Sequence, residues 1–271
     1  MTSSSLRLEL RQAAFINLAE ANPVTKADSV RQLASDWLTG DISLKVNKSI
    51  AEHLPVPGRP AFPQLIAPRL LKHRAMNTLE GRAALIHALA HIEFNAINLA
   101  LDVIWRFADM PSKFYSDWLK VADEEAYHFG LLNMHLQQLG FSYGDFDAHN
   151  SLWEMAERTK DSVLARIALV PRTMEARGLD ASPQLRAKLA QVGDVAAAGI
   201  LDIILRDEIG HVAIGNYWFN WLCSQNELEP VATYQQLTEQ YSAPKLRPPF
   251  NLSARRQAGF SEIELAYLGA L

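Results

Sequence analysis

The sequence predicts an all-α protein, and three observations support this prediction. Long stretches between residues 76 and 223 carry apolar side chains at helical spacing. No stretch of useful length alternates apolar and polar residues as a half-buried strand does. Proline and glycine stand where helices are expected to begin and end, for example at Pro111 and Gly140. We therefore expect a core built from helices.

Two short helices are predicted at the beginning of the chain, over residues 6–22 and 26–39. The stretch LPVPGRPAFPQLIAP follows, with too many prolines for regular structure, and its interleaved apolar residues indicate an ordered, extended segment. A long helix begins near residue 76 and is apolar on most sides, so we expect it to be buried. The next helix is predicted over residues 111–140.

A third helix is predicted over residues 149–177, with a kink at Pro171. RGLDASP is expected to break the chain there. The fourth helix is predicted from 184 to about 223, with a bend near Gly193. The bundle formed by these four helices would span residues 76–223.

The parts of the chain on either side of this bundle are expected to pack against it. Residues 1–75 would form the N-terminal helices and the proline-rich segment. Residues 224–271 would form a short helix near 228–241, an extended strap, and a last helical turn capped by Ser261.

Composition excludes several classes of site and partner. Apolar residues make up 49% and charged residues 21% of the chain, as in ordinary globular proteins, and the net charge of −4 argues against bulk capture of nucleic acid. Cys223 is the single cysteine, which rules out an internal disulfide and a cysteine-ligated iron–sulfur cluster within one chain.

The sequence also gives an expectation about location. The first residues show no apolar stretch followed by a cleavage site, so we predict no signal peptide. The most apolar window is interrupted by His87, His91, Glu93 and Asp102, so we predict no membrane span and a cytoplasmic protein.

Two Glu-x-x-His pairs carry the functional signal. Only Glu125 and Glu208 are followed by histidine three positions later, at His128 and His211. Residues three apart share one face of a helix, so each pair presents a carboxylate and an imidazole together. A glutamate in an apolar helix is costly unless it is paired or binds a cation. These pairs are therefore candidate metal ligands.

A single glutamate precedes each pair at almost the same interval. Glu93 precedes Glu125 by 32 residues, and Glu175 precedes Glu208 by 33. A helical hairpin that turns near residue 109 would bring Glu93 and Glu125 level. The second hairpin would turn close to Gly193, with RGLDASP as extra inserted structure. The sequence therefore predicts two similar hairpins.

Four glutamates and two histidines form the ligand set of dimetal carboxylate four-helix bundles. Iron and manganese both accept such oxygen and nitrogen donors. An acid stands directly before each motif glutamate, at Glu124 and Asp207. These acids are candidates to accept the second N–H of the histidine on the opposite helix. The alternative is that they are ordinary acids of a helix surface.

The chain resembles the ferritin-like superfamily, and more narrowly a bacterial ferritin-like family of unassigned function. The stretches EGRAALIHALAHIEFNAINLALDVIWRF, DWLKVADEEAYHFGLL, LVPRTMEARGLD, ILRDEIGHVAIGN and PKLRPPFNLSARRQAGF carry the resemblance over residues 80–260. The tRNA-modifying non-haem di-iron hydroxylases are similar at a greater distance. The resemblance implies two iron ions, with manganese as the alternative, on Glu93, Glu125, His128, Glu175, Glu208 and His211.

The sequence favours structural roles for the other polar residues. Packing is expected for His91 and His135, and hydrogen-bonded core positions rather than redox roles for Tyr127 and Tyr217. Arg177 is expected to pair with Asp180 rather than to bind a substrate anion, and Cys223 to pack as a small apolar residue. The tail cations are expected to hold a strap on surface acids rather than to bind RNA or another anion: Lys245, Arg247, Arg255 and Arg256.

Three functions remain open, and the sequence favours the first. It is an oxygenase or hydroxylase that acts on a small molecule or nucleoside, with O2 and an external electron donor as partners. The second is iron oxidation or peroxide scavenging, as in ferroxidases, rubrerythrins or manganese catalases. The third is a metal-stabilised scaffold. The added terminal segments argue against a mini-ferritin cage, and the lack of cysteines argues against a self-contained rubrerythrin. No membrane is expected as a partner, and RNA is left open.

Overall fold

The computed structural model describes residues 9–270, and within that range all regular structure is helical apart from two isolated bridges, Glu9–Ser43 and Leu65–Ala148. The predicted all-α class is confirmed. The described residues divide into two compact units. The first unit contains residues 9–71 and 83–149, and the second contains residues 72–82 and 150–270.

The helices of the first unit lie close to their predicted positions. They are α1 (Leu10–Ala19), α2 (Pro23–Thr39), α3 (Leu79–Arg106, whose first residues belong to the second unit) and α4 (Ser112–Gln138). Gly140 has a φ of 85° directly after α4, and the amide of Phe141 donates to Leu136 O at 3.1 Å. Glycine adopts this left-handed conformation without strain, so the predicted C-terminal cap is confirmed.

Helix α3 is long and apolar enough to cross a membrane by length and composition. However, 72% of its most apolar 18-residue window is buried inside the protein. Core helices of soluble proteins pass the same test and show such burial. Phe94 of α3 contributes to this core, with its ring centroid 5.8 Å from that of Phe129 on α4.

The proline-rich segment is ordered, as predicted. The amide of Gly58 donates to Leu18 O at 2.8 Å, at the end of α1. A Cβ at position 58 would lie only 2.1 Å from Ala19 O, so glycine permits this close approach. Further along, Ile66 N donates to Ala148 O at 2.8 Å and Ala148 N donates to Gln64 O at 2.9 Å. The segment is therefore held at both ends.

Arg11 of α1 is buried and connects distant parts of the first unit. Its Nε and Nη2 donate to the carbonyls of Ile104 and Trp105, at 3.2 and 2.7 Å. Its Nη1 donates to carbonyls of the segment 45–48. One guanidinium therefore joins α1, this segment and the last turn of α3.

The second unit contains seven α-helices and a π-helical segment within the described residues. They are α5 (Ser151–Arg158), α6 (Val163–Leu169), the π-helical segment (Val170–Glu175), α7 (Ala176–Gln191), α8 (Val195–Gln225), α9 (Pro230–Gln240), α10 (Leu252–Gln257) and α11 (Glu262–Gly269).

The predicted third helix over residues 149–177 is wrong in its continuity. The chain leaves the helix after Arg158, and Ser162 begins α6 by accepting a hydrogen bond from Ala165 N at 3.2 Å. Arg166 bridges the interruption, since it donates to Thr159 Oγ1 at 3.0 Å and to Ala156 O at 2.6 Å.

The predicted break at RGLDASP is also wrong, because α7 runs through it with Pro183 inside the helix. Proline removes the N–H that would bond to the carbonyl four residues earlier. The side chain of Asn251 replaces this donor, with its Nδ2 3.2 Å from Leu179 O. The chain turns instead at Gly193, whose φ is 85°, so the predicted bend is a turn between α7 and α8.

The kink predicted at Pro171 falls where the structure has the π-helical segment, which interrupts the α-helical hydrogen-bond spacing. Thr173 Oγ1 donates to Ala168 O at 2.7 Å within it. Gly215 of α8 faces this segment, and a Cβ there would lie 3.0 Å from Pro171 Cβ. Glycine therefore lets α8 pack closely against the segment that ends at Glu175.

The tail is fixed by ion pairs and a helix cap. Arg255 forms a bidentate pair with Asp180, and Arg256 pairs with Glu262 at 2.6 Å. The predicted pairing with acids is confirmed for Arg255 and Arg256, which lie on α10 and not on an extended strap, and it stays a prediction for Lys245 and Arg247. The predicted pair between Arg177 and Asp180 is wrong, because Asp180 accepts from Arg255. The predicted cap of the last helix is confirmed by a capping box of Ser261 and Glu264.

Candidate metal centre

Three of the predicted ligands meet in the core of the first unit. Glu93 of α3 and Glu125 and His128 of α4 are at most 3% exposed. The Nδ1 of His128 lies 3.3 Å from Glu93 Oε2 and 3.4 Å from Glu125 Oε2. Each of the three residues offers a ligand atom within 4.8 Å of those of the others, so this buried group could hold a metal ion.

The electrostatics of this group would favour a bound cation. Burial raises the pKa of Glu93 well above its usual value, the neighbouring Glu125 raises it further, and His128 opposes both. Burial alone lowers the pKa of His128, but the carboxylates of Glu125 and Glu93 outweigh it and raise the pKa to about 11. Two buried carboxylates thus share one positive partner, and a divalent cation would neutralise both.

The donor set fits a hard divalent metal. It comprises two carboxylates and an imidazole nitrogen that faces them, which suits iron or manganese. Glu93 Oε2 has His128 Nδ1 as its near neighbour at 3.3 Å, and the same nitrogen lies 3.4 Å from Glu125 Oε2. Two buried carboxylates that share one imidazole are costly in a purely structural role, and a bound cation would lower this cost.

The second unit carries the other predicted ligands. Glu208 and His211 are buried on α8, with His211 Nδ1 3.8 Å from Glu208 Oε1. Glu175 is half-buried and is the last residue of the π-helical segment, which packs against α8. The second unit therefore repeats the arrangement of a Glu-x-x-His pair on one helix beside a single glutamate on its neighbour.

The acids before the motif glutamates are partly exposed and lie near basic residues of their own helices. Glu124 Oε1 is 3.4 Å from Lys120 Nζ, one turn earlier. Asp207 is paired with Arg206 through contacts of 2.8 and 2.9 Å. The predicted hydrogen bonds of Glu124 and Asp207 to histidines of opposite helices stay predictions.

The whole sequence was compared with known proteins. A family model described as "Protein of unknown function (DUF455)" matches residues 19–266. The chain belongs to this family. An uncharacterized protein of Haemophilus influenzae (strain ATCC 51907 / DSM 11121 / KW20 / Rd) is 46% identical to this DUF455 chain over 261 residues, which cover 93% of this chain and 90% of that protein. No solved structure matches the chain.

The family result confirms one part of the resemblance found in the sequence. The DUF455 family has no assigned function, as expected of the narrower family. Placement of the DUF455 chain in the ferritin-like superfamily stays a prediction.

His91 is a core residue of the DUF455 chain, as predicted. Its Nδ1 lies 2.8 Å from Tyr143 Oη, and its Nε2 lies 3.1 Å from His149 O and 3.0 Å from Asn95 Nδ2. Burial lowers the pKa of His91 to about 4. Both ring nitrogens thus have partners, and the ring is neutral at neutral pH.

The other residues singled out in the sequence are partly as predicted. His135 and Cys223 are buried, which confirms packing for both. Tyr127 and Tyr217 are 36% and 50% exposed, so the expectation of core positions for them is wrong. Both tyrosines lie on exposed faces of their helices, and the pattern of apolar residues in the sequence did not distinguish these faces from the buried ones.

Sequence reasoning missed Arg172 as a candidate functional residue. This buried arginine lies three positions before Glu175 on the π-helical segment and lines a cavity of about 770 Å³ in the second unit. A charged residue within the apolar run before Glu175 was the signal that could have revealed it.

Proposed function

We propose that this DUF455 chain is a ferritin-like, non-haem di-iron carboxylate enzyme that uses O2 to oxidise an organic substrate. In this proposal the ligands are the six residues that the sequence predicts: Glu93, Glu125, His128, Glu175, Glu208 and His211. Glu124 and Asp207 are the carboxylates proposed to accept the second N–H of the histidines. Manganese fits the same donors and is the alternative metal.

The observation that carries the proposal is the buried group of Glu93, Glu125 and His128. Two carboxylates in an apolar core raise the free energy of the fold unless a cation binds them. The second unit repeats the same residue types at the same helical spacing, on α8 and the segment beside it. A single metal would not explain this repetition, whereas a dinuclear centre uses both sets.

The proposed ligands would have two different roles at the metals. The four carboxylates neutralise two divalent cations, and each imidazole supplies one nitrogen donor. When bound, two ferrous ions can supply electrons to O2. Burial of Glu93, Glu125 and His128 keeps bulk water away from that side of the site. Since the chain has a single cysteine, an external protein would supply further electrons.

An oxygenase needs a place for its organic substrate, and the second unit has a cavity of suitable size. Small-molecule sites range over about 300–1,000 Å³, and this cavity measures about 770 Å³. Its wall includes Arg172, on the same short segment as Glu175. A cavity for a small organic molecule is expected of an enzyme rather than of an iron store, although none of the predicted metal ligands lines this one. A cytoplasmic location is part of the proposal, and the burial of α3 in the protein argues only against its use as a membrane span.

Metal analysis combined with anaerobic Fe(II) titration tests the proposal. We expect about two irons per wild-type chain, the number held by dimetal carboxylate bundles. Glu175→Ala should bind iron markedly more weakly, because it removes a ligand. Glu154→Ala, which changes an exposed glutamate of α5, is the matched control and should bind as the wild type does.

The reaction with O2 separates the proposed function from its alternatives. Stoichiometric O2 uptake by the ferrous protein, without mineral growth, supports the oxygenase. Retention of far more iron than two ions per chain would indicate storage and overturn the proposal. A chain that is purified without metal, and whose melting temperature does not respond to Fe(II), would be a scaffold.

A further inference from the structure

The second unit has a partly open cavity between α9, the strap that follows it, and α11. The cavity measures about 770 Å³, and its walls are largely aromatic and aliphatic. The residues of its wall that matter here are Arg172, Tyr234, Lys245, Phe260, Glu264 and Tyr267. All of them belong to the second unit, so the cavity is a feature of that unit alone.

Arg172 is the unusual residue of this wall. It is only 3% exposed, and its Cζ lies 4.5 Å from the ring centroid of Tyr234, 4.7 Å from that of Phe219 and 5.1 Å from that of Phe260. Its Nη2 donates to Glu264 Oε1. Its Nε and Nη1 donate to no residue in the described part of the chain.

This arrangement leaves two nitrogens of the guanidinium without a hydrogen-bond acceptor among the described residues. A guanidinium has five N–H groups, and Nε and Nη1 together carry three of them. The surrounding rings attract the cation through their faces but supply no strong acceptor. Burial lowers the pKa of Arg172 to about 10, so the side chain is still charged at neutral pH. A residue that served packing alone would not need these donors.

The cavity wall has two other cationic residues, Arg255 and Lys245, and neither is buried with donors that lack an acceptor. Arg255 is committed to Asp180, with Nε–Oδ1 and Nη2–Oδ2 distances of 3.0 and 2.6 Å. Lys245 is exposed and adds positive charge at the cavity. Glu264 engages one edge of the Arg172 guanidinium, which orients its plane.

We propose that this cavity binds a small organic anion with an apolar body. The anionic group, a carboxylate or a phosphate monoester, pairs with the Arg172 guanidinium, and a movement of the side chain towards the cavity brings the shielded Nε and Nη1 to it. The apolar body lies against Tyr234, Phe260 and Tyr267. The site goes beyond the proposed metal chemistry and does not depend on it, because none of the predicted metal ligands lines the cavity.

Calorimetric titration of the full-length chain, as purified and before any iron is added, tests this site. The probes are octanoate and octyl phosphate, with octan-1-ol and inorganic phosphate as comparisons. Both organic anions should bind at one site per chain, and octan-1-ol should bind at least about tenfold more weakly, as expected when a charge-assisted hydrogen bond is lost. The tighter of the two anions identifies the head group.

Two variants separate the charge from the cavity. Arg172→Met keeps an apolar stem and should weaken both anions at least about tenfold while leaving octan-1-ol unchanged. Thr238→Trp fills the cavity without altering Arg172 and should weaken all three organic probes. The controls are Arg186→Met, at an exposed arginine paired with Asp202, and Gln236→Trp, on the same helix but outside the cavity wall. Both should bind as the wild type does.

The outcomes that overturn the site are equally definite. Absence of octanoate and octyl phosphate binding by the wild type at millimolar concentration overturns it. So does equal affinity in wild type and Arg172→Met. If Arg172→Met does not fold, unchanged anion affinity in Thr238→Trp overturns the proposal by itself. A chain that binds the anions but takes up no iron would contradict the proposed function and leave this site supported.

Discussion

Glu93 Oε2 on α3 lies 3.3 Å from His128 Nδ1 on α4, with both residues shielded from solvent. Glu93→Gln should therefore separate metal affinity from intrinsic stability. The metal-free variant should be at least as stable as the wild type, because burial beside Glu125 disfavours the charged carboxylate. Its dissociation constant for Fe(II) should rise about tenfold or more, since one ligand oxygen is lost.

Thermal unfolding with and without Fe(II) measures both effects for this variant. The wild type should gain stability with Fe(II) and the variant should gain little. Glu154→Gln, at an exposed position, should behave as the wild type does. An undiminished gain in Glu93→Gln would show that Glu93 does not bind the metal.

Lys26 should make the stability of the protein depend on pH in the alkaline range. Its Nζ is buried and donates to Leu18 O, Gly58 O and Asn98 Oδ1, and burial lowers its pKa from 10.5 to about 7. The unfolded chain thus binds more protons than the folded chain between pH 7 and 10.5, so this group's contribution to stability rises with pH across that window. The contribution is lost as pH falls through 7.

Urea unfolding of wild type and Lys26→Met from pH 6 to 10 checks this sign. The difference in unfolding free energy should change by up to about 1.4 kcal/mol per pH unit in favour of the wild type as pH rises. The exposed Lys113→Met should show no such slope. A slope in the opposite direction would mean that the folded state keeps Lys26 charged above its normal pKa.

The two ion pairs of the tail should differ in importance. Arg255→Met leaves the carboxylate of Asp180 without its buried partner and should reduce the free energy of unfolding by about 3–5 kcal/mol. Arg256→Met removes an exposed pair with Glu262 and should change stability little. Urea denaturation gives both values, and equal losses in the two variants would contradict the assignment.

Replacement of two glycines of the first unit by alanine should change the stability of the protein in opposite directions. Gly58→Ala would place a Cβ 2.1 Å from Ala19 O, so the proline-rich segment must shift and the protein should lose about 1–3 kcal/mol. Gly130 lies inside α4 with nothing within 4 Å of the added Cβ, so Gly130→Ala should gain about 1 kcal/mol. Thermal melts of both variants test this, and a neutral Gly58→Ala would show that the segment is not closely packed.

The sequence predicted those elements whose signals are local. Helices α3, α4 and α8 follow from apolar periodicity, and the two Glu-x-x-His pairs follow from the geometry of one helical turn. The same reasoning placed Glu93 opposite Glu125, because a hairpin with a short turn brings them level. The three predicted ligands of the first unit meet as the spacing indicated.

Predictions failed where residues distant in the chain decide local structure. Pro183 reads as a helix breaker, but Asn251 supplies the donor that proline lacks. The break before Ser162 depends on a cap that apolar periodicity does not record. The residues that surround Arg172, among them Tyr234, Phe260 and Glu264, are also distant from it in the sequence. Sequence periodicity contains no information about such contacts.

The bonds of Arg11 to Ile104 O and Trp105 O have a consequence for how the chain acquires its shape. These two carbonyls belong to the final turn of α3, where no later helical amide remains to bond with them. The last carbonyls of the helix that bears Glu93 therefore receive their hydrogen bonds from Arg11, more than 90 residues earlier in the sequence. Removal of the N-terminal residues up to the end of α1 would delete Arg11, and the end of α3 should then fray. We expect such shortened proteins to bind iron more weakly although every predicted ligand is retained.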